Sequence, residues 1–343
     1  MEDIPQLLLR LPGDAWNGVA GSVTELGSRL HPAHLLAFVL IAFVLYLARD
    51  RRRTAQGFLG WLFPKSVYLT RSSLVDLQLF LLGRVLAGVR LLTAFAAPTS
   101  FAVMTLAALG TLTGQPFESS PASRLETALA GFLIVAVADF CVYWVHRLHH
   151  EYPIIWPFHA VHHSAEALTP LTVYRKHPVY DIISRTVRGA LTGIAQGLIL
   201  FAFIGELSAL TIGGANAVYV IFNALGANLR HSHIWLDYGP FLGRVFISPA
   251  QHQIHHSRAP EHHNRNYGEV LAIWDWMFGT LYLPQRQEAL NFGLSAPSGA
   301  PLEQPHGTFR EAFIGPFVES ARAFRAATRG ADAVASTPED PTP

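Results

Sequence analysis

Apolar residues fall in blocks long enough to decide the architecture. Residues 30–48 are almost uninterrupted and stop at a cationic run, Arg49, Arg51, Arg52 and Arg53. A helix needs about 20 apolar residues to cross hydrocarbon, so this block predicts a first span. It reads as a signal anchor, because no cationic start precedes it and no small-residue cleavage site follows. Residues 91–112 predict a second span, with 74–90 before it at the interface, and residues 125–145 predict a third. Residues 189–204 and 207–227, broken only by Gly205 and Glu206, predict two helices in a tight hairpin or one re-entrant pair, giving four or five spans. The expected fold is all-α: a polytopic membrane helical bundle with a histidine-rich helical metal domain on its cytoplasmic side.

The side follows from lysine and arginine counts in short flanking loops. Residues 49–75 hold six and 146–188 hold five, whereas 113–124 hold only Arg124. One topology satisfies these counts, with the N-terminus outside and 49–75, 146–188 and 228–343 inside. Around the spans, residues 1–29 read as an N-terminal tail, 30–129 as an N-terminal transmembrane region and 130–284 as the domain carrying the chemistry. Residues 285–343 read as a linker, Pro, Ser and Gly-rich at 295–306, a helix at 309–329 and a disordered tail from Ala331. Phe309, Phe313, Phe317, Ala321 and Phe324 give that helix an apolar stripe, suited either to a membrane interface or to packing on the preceding domain.

Composition narrows the chemistry. Half the residues are hydrophobic and 14% are charged, against about 25% charged in an ordinary soluble domain. A net charge of +1 offers no field to hold a nucleic acid. The single cysteine, Cys141, excludes an internal disulfide and a thiolate metal cage. Histidine is the exception: 14 of the 17 lie between His146 and His263.

They are spaced for metal. His146 and His150 stand at i, i+4; His159, His162 and His163 at i, i+3, i+4; and His252, His255 and His256 repeat that triplet 93 residues on. On a helix each set lies on one face. Neutral imidazole suits iron, zinc, copper and nickel, and eight ligands exceed what one catalytic zinc takes, so two ions are implied. His149 is one residue off the favoured face, an alternative to His150 or a hydrogen-bonding neighbour. His231 and His233 point in different directions, and His231 is the expected site residue. Asp139, seven residues before His146, is placed to orient a ligand through its ring N–H, and Asp275 is a second candidate for that work. His262 and His263 read as a solvated loop. The lone Glu-x-x-His, Glu303 to His306, reads as chance.

Taken in order, Asp139 with YWVHR, the two first histidine boxes, RKHP at 175–178, RHS at 230–232, SPAQHQIHHS and NYGEVLAIWDWMFGTLYLP resemble the fatty acid hydroxylase and sterol desaturase superfamily of membrane non-haem di-iron oxygenases. The resemblance runs over about 130–284. It implies metal-ligand roles for His146, His150, His159, His162, His163, His252, His255 and His256, adds His231 as an intermediate ligand, and brings in His177 at the family's His-Pro motif. The glutamate usual two residues after that motif's proline is Tyr180 here. The implied cofactors are two iron ions and dioxygen, and the implied reaction hydroxylates or desaturates an unactivated C–H position of a lipid: fatty acyl, sterol or hopanoid, carotenoid or ether lipid.

The chain has no Gly-x-Gly-x-x-Gly dinucleotide fingerprint, cysteine cluster or His-Pro-Gly-Gly segment. Electrons are therefore expected from a separate ferredoxin, cytochrome or flavin reductase. Two other readings use the same histidines. A metal transporter would bind cargo, although transport sites sit near the bilayer midplane on broken helices. A zinc-dependent membrane hydrolase would use Glu166 or Glu269 as base. The histidine boxes are expected on the cytoplasmic face of a bacterial inner membrane. A reporter fused after Pro343 tests this topology: cytoplasmic activity is expected, and periplasmic activity contradicts it.

Overall fold

The computed structural model describes residues 4–49, 55–88, 98–114, 123–203, 220–222, 224–296 and 298–335. Among these the chain is all-helical, and pairing outside helices is limited to two isolated bridges, Phe246 with Leu271 and Ser295 with Pro301. The helices are α1 (Ile4–Thr24), α2 (Pro32–Arg49), α3 (Ala55–Leu62), α4 (Lys65–Tyr68), α5 (Arg71–Gly88), α6 (Pro98–Thr113), α7 (Arg124–Glu151), α8 (Trp156–His163), α9 (Pro178–Phe203), α10 (Gly239–Leu242), α11 (Pro249–His255), α12 (Ile273–Met277) and α13 (Phe309–Ala335).

The predicted spans map onto α2, α6, α7 and α9, with different limits. Among the described residues, α7 is the one helix both long and apolar enough to cross a membrane; α2 and α6 are apolar but shorter. Residues 91–97, most of 207–227 and the last eight residues of the predicted tail lie outside the described residues. The first 29 residues are not a simple tail, because α1 packs along α5. α7 starts at a capping box: Ser123 Oγ accepts the Glu126 N–H at 3.2 Å and Glu126 Oε2 accepts the Ser123 N–H at 2.8 Å. It ends before Pro153, whose ring disfavours helix at the preceding residue. Twenty-eight residues make a rod of about 42 Å, which carries the first histidine box beyond its apolar length.

α9 lies against α6 at two glycines four residues apart. A Cβ on Gly193 would come within 2.2 Å of the Pro98 carbonyl oxygen, and one on Gly197 within 2.6 Å of Thr105 Cβ. Small residues at this spacing let helix backbones approach closely, as membrane helices do.

A buried ion pair fastens the histidine-bearing part to the N-terminal helices. Arg175 and Asp76 are fully buried and 2.9 Å apart. Thr172 Oγ1 donates to the other Asp76 oxygen at 2.6 Å. Arg175 further donates to the carbonyls of Val161, Ser72 and His306 and to Ser164 Oγ, at 2.7 to 3.1 Å. One guanidinium thus joins α5, the end of α8 and the segment before α13.

That segment is packed, not a loose linker. Ser295 and Pro301 bridge, His306 is fully buried, and α13 runs unbroken through Pro316 to Ala335. Phe317 of α13 meets the Phe158 ring at 5.3 Å, so this part of the apolar stripe packs on the domain, while Phe324 is exposed. His262 is likewise buried, with Nε2 3.0 Å from Glu288, and not in a solvated loop.

Breaking a buried ion pair from one side leaves an uncompensated charge and costs about 3–5 kcal/mol. Arg175→Met should lower unfolding stability in detergent by that amount, and adding Asp76→Leu should recover part of the loss. Wild-type stability of Arg175→Met in a denaturant titration would contradict the role given to this pair.

Candidate metal centre

The three boxes are delivered by three helix ends. The last two turns of α7 supply His146 and His150, α8 supplies His159, His162 and His163, and α11 supplies His252 and His255 with His256 as its C-cap. α11 is aimed by a second capping box, in which Ser248 Oγ accepts the Gln251 N–H and Gln251 Oε1 accepts the Ser248 N–H. The run Ser248-Pro249-Ala250-Gln251 carries this signal in the sequence. His231 follows the short 3₁₀ turn at Ala227–Leu229. Its loop is clamped by Gln253, whose Nε2 donates to the carbonyls of Leu229 and Ile234 at 2.8 and 2.9 Å.

These nine histidines form two clusters, and the clusters cut across the boxes. His146, His150, His159, His163 and His255 form one; His162, His231, His252 and His256 form the other. Within each, the candidate ligand atoms all lie within 4.8 Å of one another. Each triplet is therefore divided and does not act from one face: the i, i+4 pair enters one cluster and the third histidine turns into the other.

The closest contacts are between Nε2 atoms. His146 lies 3.0 Å from His159 and 3.1 Å from His255, and His163 lies 3.2 Å from His159. In the second cluster His231 is 3.3 Å from His162 and 3.2 Å from both His252 and His256. Nitrogens bound at about 2.1 Å to one ion stand about 3.0 Å apart at right angles and about 3.4 Å apart at tetrahedral angles.

The tautomers make the same point. His146 Nδ1–H donates to the Tyr267 carbonyl and His255 Nδ1–H donates to the Arg265 carbonyl, both at 2.8 Å. With the proton on Nδ1, a neutral ring presents a bare lone pair at Nε2. Two such lone pairs face each other at 3.1 Å with no proton between them. Protonation offers little relief. Burial, reinforced by neighbouring histidines, holds His159, His162, His163, His231, His252 and His255 well below the usual imidazole range and takes His256 down to about 3. A shared cation satisfies the arrangement; the residues fit one metal ion per cluster.

The remaining expected residues are placed elsewhere. His149 Nδ1–H donates to the Val145 carbonyl one turn back, at 2.7 Å. His233 meets the Trp61 carbonyl through Nε2 at 2.8 Å. His177 is outside both clusters: Nδ1 accepts the Val179 N–H at 3.1 Å, and Nε2–H donates to the Phe313 carbonyl at 3.0 Å, so both nitrogens are spent joining the start of α9 to α13. Tyr180, where the family's pattern has glutamate, stacks on the His159 ring at 4.6 Å. Asp139 touches no histidine. Its oxygens accept the N–H groups of Val270 and Leu271 and the Trp274 indole N–H, at 3.0 to 3.1 Å. Asp275 accepts the N–H groups of Tyr267 and Gly268 at 2.8 Å and the Thr280 hydroxyl at 2.6 Å. Its carboxyl is raised to about 6 by burial, against the pull of those donors. Both aspartates thus grip the 267–271 strand of chain whose Tyr267 carbonyl fixes His146, acting one backbone step removed from the ring. Backbone carbonyls leave no trace in a residue pattern, so Tyr267 and Arg265 were not expected.

A cavity of about 100 Å³ lies beside the clusters, with His146, His159, His162, His231 and His252 on its wall. Glu269 lines it too, whereas Glu166 is at the surface.

The family model for fatty acid hydroxylases matches residues 131–280. The chain is 32% identical over 174 residues to an alkylglycerol monooxygenase of Danio rerio, covering 51% of this chain and 35% of that protein. It is 32% identical over 163 residues to an ornithine lipid hydroxylase of Rhizobium tropici, covering 47% and 44%. With a Delta(7)-sterol 5(6)-desaturase of Leptosphaeria maculans the identity is 29% over 154 residues, covering 44% and 36%. The chain thus spans less than half the length of each of these relatives. No solved structure matches it significantly. The segment that matches the fatty acid hydroxylase family, residues 131–280, holds all nine clustered histidines.

Proposed function

We propose that this chain is a multi-pass membrane oxidoreductase that holds two iron ions in the two histidine clusters and uses dioxygen to hydroxylate or desaturate a C–H position of a lipid. The observation that carries the reading is the pair of buried clusters whose neutral imidazoles turn their Nε2 atoms on common centres. The similar proteins, two lipid hydroxylases or monooxygenases and a sterol desaturase by name, support a lipid substrate. The apolar α7 and the close α6–α9 contact support membrane insertion, with the histidines at the cytoplasmic ends of the spans.

His146, His150, His159, His163 and His255 would hold one ion, and His162, His231, His252 and His256 the other. When bound, the two ions supply the reduction of dioxygen by two external electrons and two protons, coupled to oxidation of a C–H bond. The chain does the rest. The Tyr267 and Arg265 carbonyls fix the tautomers of His146 and His255, keeping Nε2 free toward the metal. Tyr180 holds the His159 ring by stacking. Val142, Val145 and Val173 give the cavity an apolar wall that limits water around the reacting carbon. Electrons come from a separate ferredoxin, cytochrome or flavin reductase.

Purified chain loaded with ferrous iron without oxygen should bind about two ions, and adding reductant, oxygen and a lipid extract should consume oxygen. Metal bound as zinc with no oxygen uptake would instead favour hydrolysis, and one or no ion would reject the site. His159→Ala and His252→Ala, one in each cluster, should each lose an ion, whereas His149→Ala and His233→Ala should keep both; equal metal loss in all four contradicts the assignment. Asp139→Asn and Asp275→Asn should keep the fold but weaken iron retention by roughly 10–100-fold, the scale for groups that orient a ligand from behind. Wild-type retention in a chelator competition would leave them without that role.

A further inference from the structure

The cavity beside the histidines also carries a cationic lining. Arg29, Lys176, Arg188 and Arg230 line the small cavity, and Glu269 is the one carboxylate on it among the described residues. A wider opening of about 760 Å³ shares Arg29, Lys176, Arg188 and Glu269 and adds Arg185. The opening is otherwise partly apolar, with Leu26, Val142, Val220 and Phe222 on its sides.

Two of these cations are committed to the protein. Arg29 lies 3.5 Å from Glu269 and donates to the Ala227 carbonyl. Arg230 donates to the carbonyls of Ile247 and Glu269. Lys176 and Arg188 are different: among the described residues neither side chain has a hydrogen bond or a carboxylate within salt-bridge distance, and Lys176 has only the Tyr180 ring, 5.9 Å from its nitrogen. Arg185 Nε is buried and unpartnered. Even counting Asp181, which acts on Lys176 electrostatically, and Asp139, which acts on Arg230, five cations face three carboxylates. Lys176 and Arg188 are half-buried and carry no hydrogen-bond partner among the described residues, so an anion entering here finds cations free to bond it. Arg188 also immediately precedes the apolar run of α9 from Gly189, the level at which a lipid's polar end meets its chain.

We propose that the cavity selects an amphiphile with an anionic group, a carboxylate or a phosphate, held between Lys176 and Arg188, with its carbon chain passing out through the apolar opening. The inference rests on the lipid-oxidising reading above and gives its substrate class. It also sets the position of attack. The same two cations and five of the clustered histidines line one cavity. The oxidised carbon therefore lies near the anionic end and not at the far end of the chain.

The test is lipid binding to the detergent-solubilised full chain, both metal-free and iron-loaded. The probes are matched pairs: oleate against oleyl alcohol, and dioleoyl phosphatidate against dioleoylglycerol, with inorganic phosphate as the free anion. At least one anionic lipid should bind about tenfold or more tighter than its neutral twin, as expected of one charge-assisted contact. Inorganic phosphate should compete only weakly, because it lacks the chain; competition as strong as the lipid's would mean a free-anion site and overturn the proposal. Arg188→Gln should erase the preference and Arg188→Lys should keep it, with Lys176→Gln as the second variant should Arg188→Gln not fold. Neutral twins binding as tightly as the anionic lipids, or a preference that survives both glutamine variants, would also overturn it. A chain that discriminates the anionic lipid but binds no iron fails the oxidative reading and not this one.

Discussion

Neutral imidazoles packed nitrogen to nitrogen cannot hold themselves together. His146 and His255 each place their ring proton on a backbone carbonyl, and the lone pairs that remain meet at 3.1 Å. Adding a proton means placing a cation among eight other rings. A metal ion shared by the rings would turn this repulsion into attraction. Much of the surrounding architecture is the machinery for bringing three helix ends and one loop to that point.

That machinery works from behind the rings. Asp139 on α7 and Asp275 on α12 hold one short segment by its N–H groups, and the segment offers the Tyr267 carbonyl to His146. Asn266, with positive φ at 55°, fastens the same segment to the Gln251 and Tyr282 carbonyls. Arg175 does for α8 what the aspartates do for α7, bonding the Val161 carbonyl and Ser164 at the helix end that carries His162 and His163. These buried charges stabilise less through their own pairing than by fixing where the imidazoles stand, which is the role in which buried polar groups are most useful.

The histidine boxes were legible because helical spacing leaves a pattern that a single helix suffices to explain. Their division into two clusters was not legible, since it depends on how three helices are rotated about their axes where they meet. Asp139, expected to orient the His146 ring directly, bonds Val270, Leu271 and Trp274 instead, because seven residues along a helix is about 10 Å, beyond a hydrogen bond to that ring. His177 shared a motif with the site, yet its ring is consumed by the Val179 N–H and the Phe313 carbonyl, and α13 could not be placed against it from spacing alone. The cationic wall was hidden for a different reason. Arg29 lies in a segment that reads as a tail, and α9 brings Arg185 and Arg188 to it from more than 150 residues away.

X-ray absorption at the iron edge of the anaerobically loaded protein tests the central claim most directly. Nine imidazoles shared between two ions predict a first shell dominated by nitrogen at about 2.1 Å, with the multiple-scattering pattern of imidazole rings and no sulfur. A shell dominated by oxygen, or iron that washes away while the fold stays intact, would contradict it.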